Sequence, residues 1–183
     1  SLPSRGLGDV YKRQIMDYKD GIHFQTQKRM SSGTIPDFTF YLPENKTINM
    51  DSKFPLTIYM EIAKLNRDLE NETLDEIARR DILESIKNKN KEFLDKAIKT
   101  KIDETSSREG YISSDEGTVD FVLMYIPLEN LYHFLLTSEI GANKIPVIQY
   151  AFSKKVILVS PQTLMAYLET CLLYTSPSPR DGR

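Results

Sequence analysis

Two short apolar runs constrain this chain more than anything else in it. Val119 to Ile126 is unbroken after Asp120 and is closed by Pro127; Val156-Ile157-Leu158-Val159 stops at Ser160-Pro161. A strand with one wet face alternates apolar and polar residues. A strand without alternation has to be covered on both faces, the usual condition of parallel strands lying between helices. The chain of 183 residues is long enough to supply those covering layers.

The rest of the pattern supplies the helices and the remaining strands. Phe38-Thr39-Phe40-Tyr41-Leu42 and Thr47-Ile48-Asn49-Met50-Asp51 have period two, and Pro43-Glu44-Asn45-Lys46 between them is turn chemistry. This predicts a hairpin, 37–42 against 47–53, preceded by a looser strand over 23–28. Ile58, Ile62, Leu65 and Leu69 then fall on one helical face. Thr73-Leu74-Asp75-Glu76 reads as a capping box opening a long helix to about Asp103, with a weak patch at Asn88-Lys89-Asn90. Helices are also predicted over 128–136 and 146–152, and Ser160-Pro161 reads as a cap and first turn for a helix over 162–169. The order β, β, β, α, α, β, α, α, β, α specifies an α/β fold, a mixed β-sheet flanked by helices.

Several function classes drop out. No apolar run approaches a bilayer span. One cysteine and two histidines exclude a disulfide scaffold, a Cys-rich zinc site and a His-based metal cluster. Residues 4–14 and 171–181 look like a sequencing-library adaptor translated in both orientations, so the expected division is 1–14 adaptor-like, 15–170 natural domain, 171–183 adaptor-like. On that division the natural part is an internal fragment, and the ends, Val10 and Leu172 among them, are expected to lie outside the core. Five basic residues (Arg5, Lys12, Arg13, Arg180, Arg183) and two acidic ones (Asp9, Asp181) leave the count. The totals of 24 and 26 then fall to 19 and 24, a net of −5. Such a balance excludes non-specific duplex binding by the whole surface and confines any DNA contact to a local cleft.

The hairpin carries the chemistry. If Phe40 and Leu42 share a buried face with Ile48 and Met50, pairs 42–48 and 40–50 bring Asp37 opposite Lys53 and Thr39 opposite Asp51. Asp37, Asp51 and Lys53 are then expected on the polar face at one end of the hairpin, with the two carboxylates close enough to share a metal. Two carboxylates can hold Mg²⁺, which takes oxygen ligands and keeps several waters. The metal can polarise a phosphate oxygen, and a nearby Lys can stabilise charge at the phosphorus. Pro36-Asp37 followed by Asp51-Ser52-Lys53 has the spacing of the PD-(D/E)xK nuclease core. The same residues would also make a plain strand-end ion pair, and the spacing leaves both readings open. Lys87, Lys89, Lys91, Lys96, Lys99 and Lys101 read as a solvated helix face. Glu92–Lys96 and Asp95–Lys99 are the expected pairs there. His133 reads as a packed helix residue.

Ile35-Pro36-Asp37-Phe38 with Met50-Asp51-Ser52-Lys53-Phe54-Pro55-Leu56 resembles the core of the RmuC family of DNA recombination proteins. Asp115 to Pro127 and Lys155 to Leu164 resemble the same family, in the same order. The resemblance implies a restriction-endonuclease-like core and a metal-dependent DNA nuclease that limits DNA rearrangement. It implies DNA as partner, Mg²⁺ at Asp37 and Asp51, and no small-molecule cofactor. Gln25, placed like a family glutamine, would join Asp37, Asp51 and Lys53 in the site. Family members also carry a Glu-bearing helix, and before it a coiled coil often bearing a membrane anchor, upstream of what matches here. Homo-oligomers would form through that coiled coil, in the cytoplasm of a bacterium or archaeon. Two alternatives stay open, a non-catalytic scaffold that binds DNA structures and a module that only assembles through the coiled coil. The strand at 120–126 is expected beside 47–53, reached by a crossover through the helices.

Overall fold

The computed structural model describes residues 23–175. Five strands make one mixed sheet in the order β1 (His23–Thr26), β2 (Phe38–Leu42), β3 (Lys46–Asp51), β4 (Val122–Tyr125) and β7 (Val156–Val159). The first three are antiparallel; β3, β4 and β7 are parallel. The connection from β3 to β4 runs through α1 (Leu56–Leu69), α2 (Glu76–Glu92), a π-helical turn (Phe93–Ile98) and α3 (Lys99–Ser107). After β4 come α4 (Glu129–Leu136), a small ribbon of β5 (Glu139–Ile140) with β6 (Ile145–Pro146), and α5 (Val147–Ser153). The helix α6 (Pro161–Thr175) follows β7. The chain is an α/β protein, and β4 lies beside β3 in the interior of the sheet, as expected. The expectations about the two ends concern Val10 and the side chain of Leu172, which lie outside the described residues.

Alternation sorts the core into two sides. Phe38, Phe40, Ile48, Met50, Leu123, Tyr125 and Val159 face Leu164 and Leu168 of α6. Val122, Met124, Ile126, Val156 and Leu158 face the opposite way, onto Ile62, Phe93, Ile98 and Ile102 of the crossover helices. This double cover is why the residues of β4 are all buried and why its sequence does not alternate. Truncating a side chain such as Phe40, fully buried, would cost about 3–5 kcal/mol.

Local chemistry departs from the expected pattern at three places. Asp75, not Thr73, caps α2, its carboxylate accepting from the Ala78 N–H at 2.7 Å. Thr73 instead donates to Asn71 Oδ1, closing a turn one step earlier. The long helix is not broken at Asn88-Lys89-Asn90 but widens into the π turn over Phe93–Ile98. One extra residue in that turn breaks the i,i+4 geometry of the two expected ion pairs. Lys89 pairs with Glu61 (2.6 Å) and Glu92 (3.6 Å), and Lys99 with Asp103 (3.3 Å). Asp95 accepts from the Gly141 N–H instead. His133 is exposed rather than packed.

The hairpin register differs as well. Phe38 pairs with Met50, Phe40 with Ile48 and Leu42 with Lys46, so the strands are shifted by two residues from the expected pairing. The loop is odd in number but shorter, with Glu44 and Asn45 both at positive φ. An even shift preserves which face each residue uses, so the buried apolar set is unchanged. What changes is the partner: continued by one residue, the register sets Asp37 level with Asp51, not with Lys53.

Candidate functional site

The face shared by Thr39, Asn49 and Asp51 is not open to water. All three are buried, because α3 and the chain around Met30 and Tyr111 lie over them. Their polar groups are matched inside. Thr39 Oγ1 donates to Asn49 Oδ1 at 2.6 Å, and Asn49 Nδ2 donates to the Tyr111 carbonyl at 3.0 Å. The covering loop is tied down by Glu116, which accepts from both the backbone and the hydroxyl of Ser31. Those hydrogen bonds hold the Glu116 carboxyl below its ordinary range.

Asp51, only 1% exposed, ends β3 at the close of this polar seam. Its Oδ2 accepts from Lys101 Nζ at 2.8 Å, with Arg108 Nε at 3.9 Å. Its Oδ1 accepts from the Lys53 N–H at 3.1 Å. Lys101 is itself buried at 7% exposure, so it does not belong to the solvated helix face. Burying a carboxylate and an ammonium is tolerable only when they meet, and here they do. Asp37 is half-buried, and its Oδ2 accepts from the N–H and the hydroxyl of Ser52, both at 2.9 Å. Tyr111 lies beneath Arg108, whose guanidinium is 5.8 Å from the ring centre. Burial, reinforced by the Asp51 charge, pushes its phenol up to about 12.

Lys53 lies two residues beyond β3 and is exposed. It shares the wall of a cavity of about 520 Å³ with Lys96, Lys101, Arg108 and Glu104. Gln25 is exposed at the sheet edge, opposite Thr39 and hydrogen-bonded through Oε1 to the Tyr41 hydroxyl at 2.9 Å. The structure therefore gathers Asp51, Lys53, Lys101 and Arg108, with Asp37 on the same face, and leaves Gln25 at the edge. Lys101 and Arg108 were not singled out as site residues from the sequence. Lys101 carried a signal, because it lies three residues after Ile98 and so on the apolar stripe of its own helix.

The donor set can be tested against a divalent cation. Among the described residues no group of three or more His, Cys, Asp or Glu side chains converges on one point. Two hard carboxylates on one face suit Mg²⁺, which completes its shell with water or phosphate oxygen. The position beside Asp51 Oδ2 already requires a positive charge, and the Lys101 ammonium fills it. Asp37 and Asp51 supply carboxylate oxygens of the kind such an ion takes, and the Lys101 ammonium occupies the Oδ2 side of Asp51.

Comparison with known proteins assigns the chain to a family. A model of the RmuC family matches residues 10–176. The DNA recombination protein RmuC homolog of Pasteurella multocida (strain Pm70) is 31% identical over 163 residues, 86% of this chain and 28% of that protein. The homolog of Neisseria meningitidis serogroup A (strain Z2491) is 31% identical over 135 residues, 74% of this chain and 19% of that protein. The homolog of Pseudomonas aeruginosa (strain PAO1) is 29% identical over 168 residues, 88% of this chain and 32% of that protein. The chain thus spans about a third or less of the length of these relatives. No solved structure matches it significantly. Among the described residues no helix is long and apolar enough to cross a membrane. With a family match running through every strand of the sheet and through the Asp51 site, the chain belongs to the RmuC family.

Proposed function

We propose that this chain is the phosphodiester-cleaving core of a DNA recombination protein, a Mg²⁺-dependent endonuclease of restriction-endonuclease-like type that limits DNA rearrangement. One observation carries the reading. A carboxylate that is 1% exposed ends a central strand beside a cavity whose wall holds four cations. Buried charge of this kind is costly, and it clusters where chemistry needs it.

Asp37 and Asp51 would hold the ion, which when bound supplies Lewis-acid polarisation of a phosphate oxygen. Lys53 and Arg108 draw a phosphate to the cavity and offset the charge that develops on it. Lys101 holds the Asp51 carboxylate in place through their 2.8 Å contact. Gln25 enters only as a polar group at the edge of the same face. DNA is the partner in this reading. A second copy joined through a coiled coil, and a cytoplasmic setting, belong to the same proposal.

A second reading is a scaffold that binds DNA structures without turnover. It is favoured by the engagement of Asp51 with Lys101 and Arg108, which neutralises the carboxylate without any metal. Cleavage of branched and linear DNA by the protein, with Mg²⁺ and with EDTA, separates the two. Cleavage that needs Mg²⁺ and falls at least a hundredfold in Lys53→Ala and Asp37→Asn supports the nuclease. Binding without cleavage in the unaltered protein supports the scaffold. A hundredfold corresponds to about 2.7 kcal/mol of lost transition-state stabilisation.

A further inference from the structure

The lining of the cavity beside Asp51 combines two chemistries. Its basic part is Lys53, Lys96 and Arg108, the last also 3.9 Å from Asp51, while Lys101 is committed to Asp51. Lys53 and Lys96 form no salt bridge among the described residues, and Glu104 is the single acid in the lining. Its apolar part is supplied by Phe54, Pro55 and Ile58. It is an open cleft, and its volume of about 520 Å³ is more than one phosphate needs.

A ligand that matches both parts carries an anion at one end and a flat apolar body at the other. We infer that the cavity is a nucleotide subsite for single-stranded DNA. It takes one unpaired nucleotide, with its phosphate on Lys53, Lys96 and Arg108 and its base against Phe54, Pro55 and Ile58. This rests on the reading of the chain as a DNA-acting protein and narrows it to a substrate class. In a duplex the bases are stacked and paired, so only the backbone would reach the mouth and the apolar part would stay empty. An unpaired base has a free π-face, and such faces bind aromatic and apolar side chains with little regard to sequence. The phosphate supplies the salt-dependent part of the affinity through counterion release. The overall acidity of the chain then helps selectivity, since backbone contact away from this cavity is repelled.

The test is fluorescence anisotropy of the full chain in EDTA with three labelled probes. These are a short thymidine oligonucleotide, an abasic oligonucleotide of equal length and a duplex of equal length. The thymidine probe is expected to bind about tenfold more tightly than the abasic one, the scale of one stacked base. Ile58→Thr should erase that difference and leave abasic binding unchanged. Lys96→Ala should weaken both single-stranded probes and reduce the salt slope by about 0.7, the share of one phosphate contact. Lys91→Ala, an equal loss of charge outside the cavity, should change neither. Thr100 lines the mouth and is exposed, so Thr100→Glu adds repulsion there without disturbing the core. Equal affinity for thymidine, abasic and duplex probes overturns the inference, as does unaltered thymidine binding in Thr100→Glu. Binding is read without metal, so absence of cleavage by the unaltered protein leaves this inference standing, whereas failure of the probe series leaves the nuclease reading standing.

Discussion

Lys101 Nζ lies 2.8 Å from Asp51 Oδ2, joining the end of β3 to the first turn of α3 across fifty positions of sequence, with both side chains buried. The pair locks the crossover helix to the sheet at one register of the helix. It also makes Asp51→Asn a poor test of catalysis by itself, because the change strands the Lys101 ammonium in the interior. We expect Asp51→Asn or Lys101→Met alone to lose about 3–5 kcal/mol. The double change, which leaves no unmatched charge, should recover at least half of that. Urea unfolding of the three variants reads it out, and additive single losses would show that the pair does not act as a unit.

Asp37 fixes the turn that follows β3. Its Oδ2 takes both the N–H and the hydroxyl of Ser52, the last residue before Lys53. Asp37→Ala should cost about 1.5–3 kcal/mol, the range for hydrogen bonds to a charged acceptor. Amide exchange at Ser52 should speed up more than at Ile48, which stays within the ladder. Equal acceleration at both would mean that the carboxylate does not hold the turn.

The sheet was legible because its signals are local. Unalternating runs mark β4 and β7, and period two marks β2 and β3. The register was less legible, since pairings two residues apart bury the same Phe40, Leu42, Ile48 and Met50. Only the loop chooses between them, and Glu44 and Asn45 accept left-handed backbone that the longer loop would not need. The burial of the Thr39, Asn49 and Asp51 face was hidden for another reason. Those residues look solvent-facing until Tyr111 and Lys101, both far away in sequence, supply their partners. Lys101 was hidden too, because its neighbours Lys96 and Lys99 share its charge but not its place.

Gly117 holds the hairpin turn against the strap before β4. Its φ is +74°, and a Cβ there would come within 2.9 Å of the Asn45 carbonyl oxygen. Its own carbonyl accepts from the Thr47 N–H at 3.0 Å, so the backbone has little freedom to withdraw. Gly117→Ala should destabilise by about 1–3 kcal/mol, combining left-handed strain with a contact against backbone. Thermal unfolding measures this. A melting temperature unchanged from the parent would mean that the strap moves away freely.

Tyr111 gives the molecule an alkaline limit. The phenol is buried, with its hydroxyl 3.5 Å from the Ile35 carbonyl, and the carboxylates of Asp51 and Asp37 oppose a second negative charge. Arg108 pulls the other way, but burial and the two carboxylates prevail, and the phenol rises to about 12. In the unfolded chain the same group titrates near 10. The folded state therefore binds a proton that the unfolded state releases. The resulting stability is fully present below pH 10 and is lost as pH rises from 10 towards 12. Ultraviolet difference spectra should show late tyrosine ionisation, and Tyr111→Phe should reduce it. The same variant should lose less stability than the parent between pH 10 and 12. Identical alkaline slopes in the two proteins would place the late-ionising phenol elsewhere.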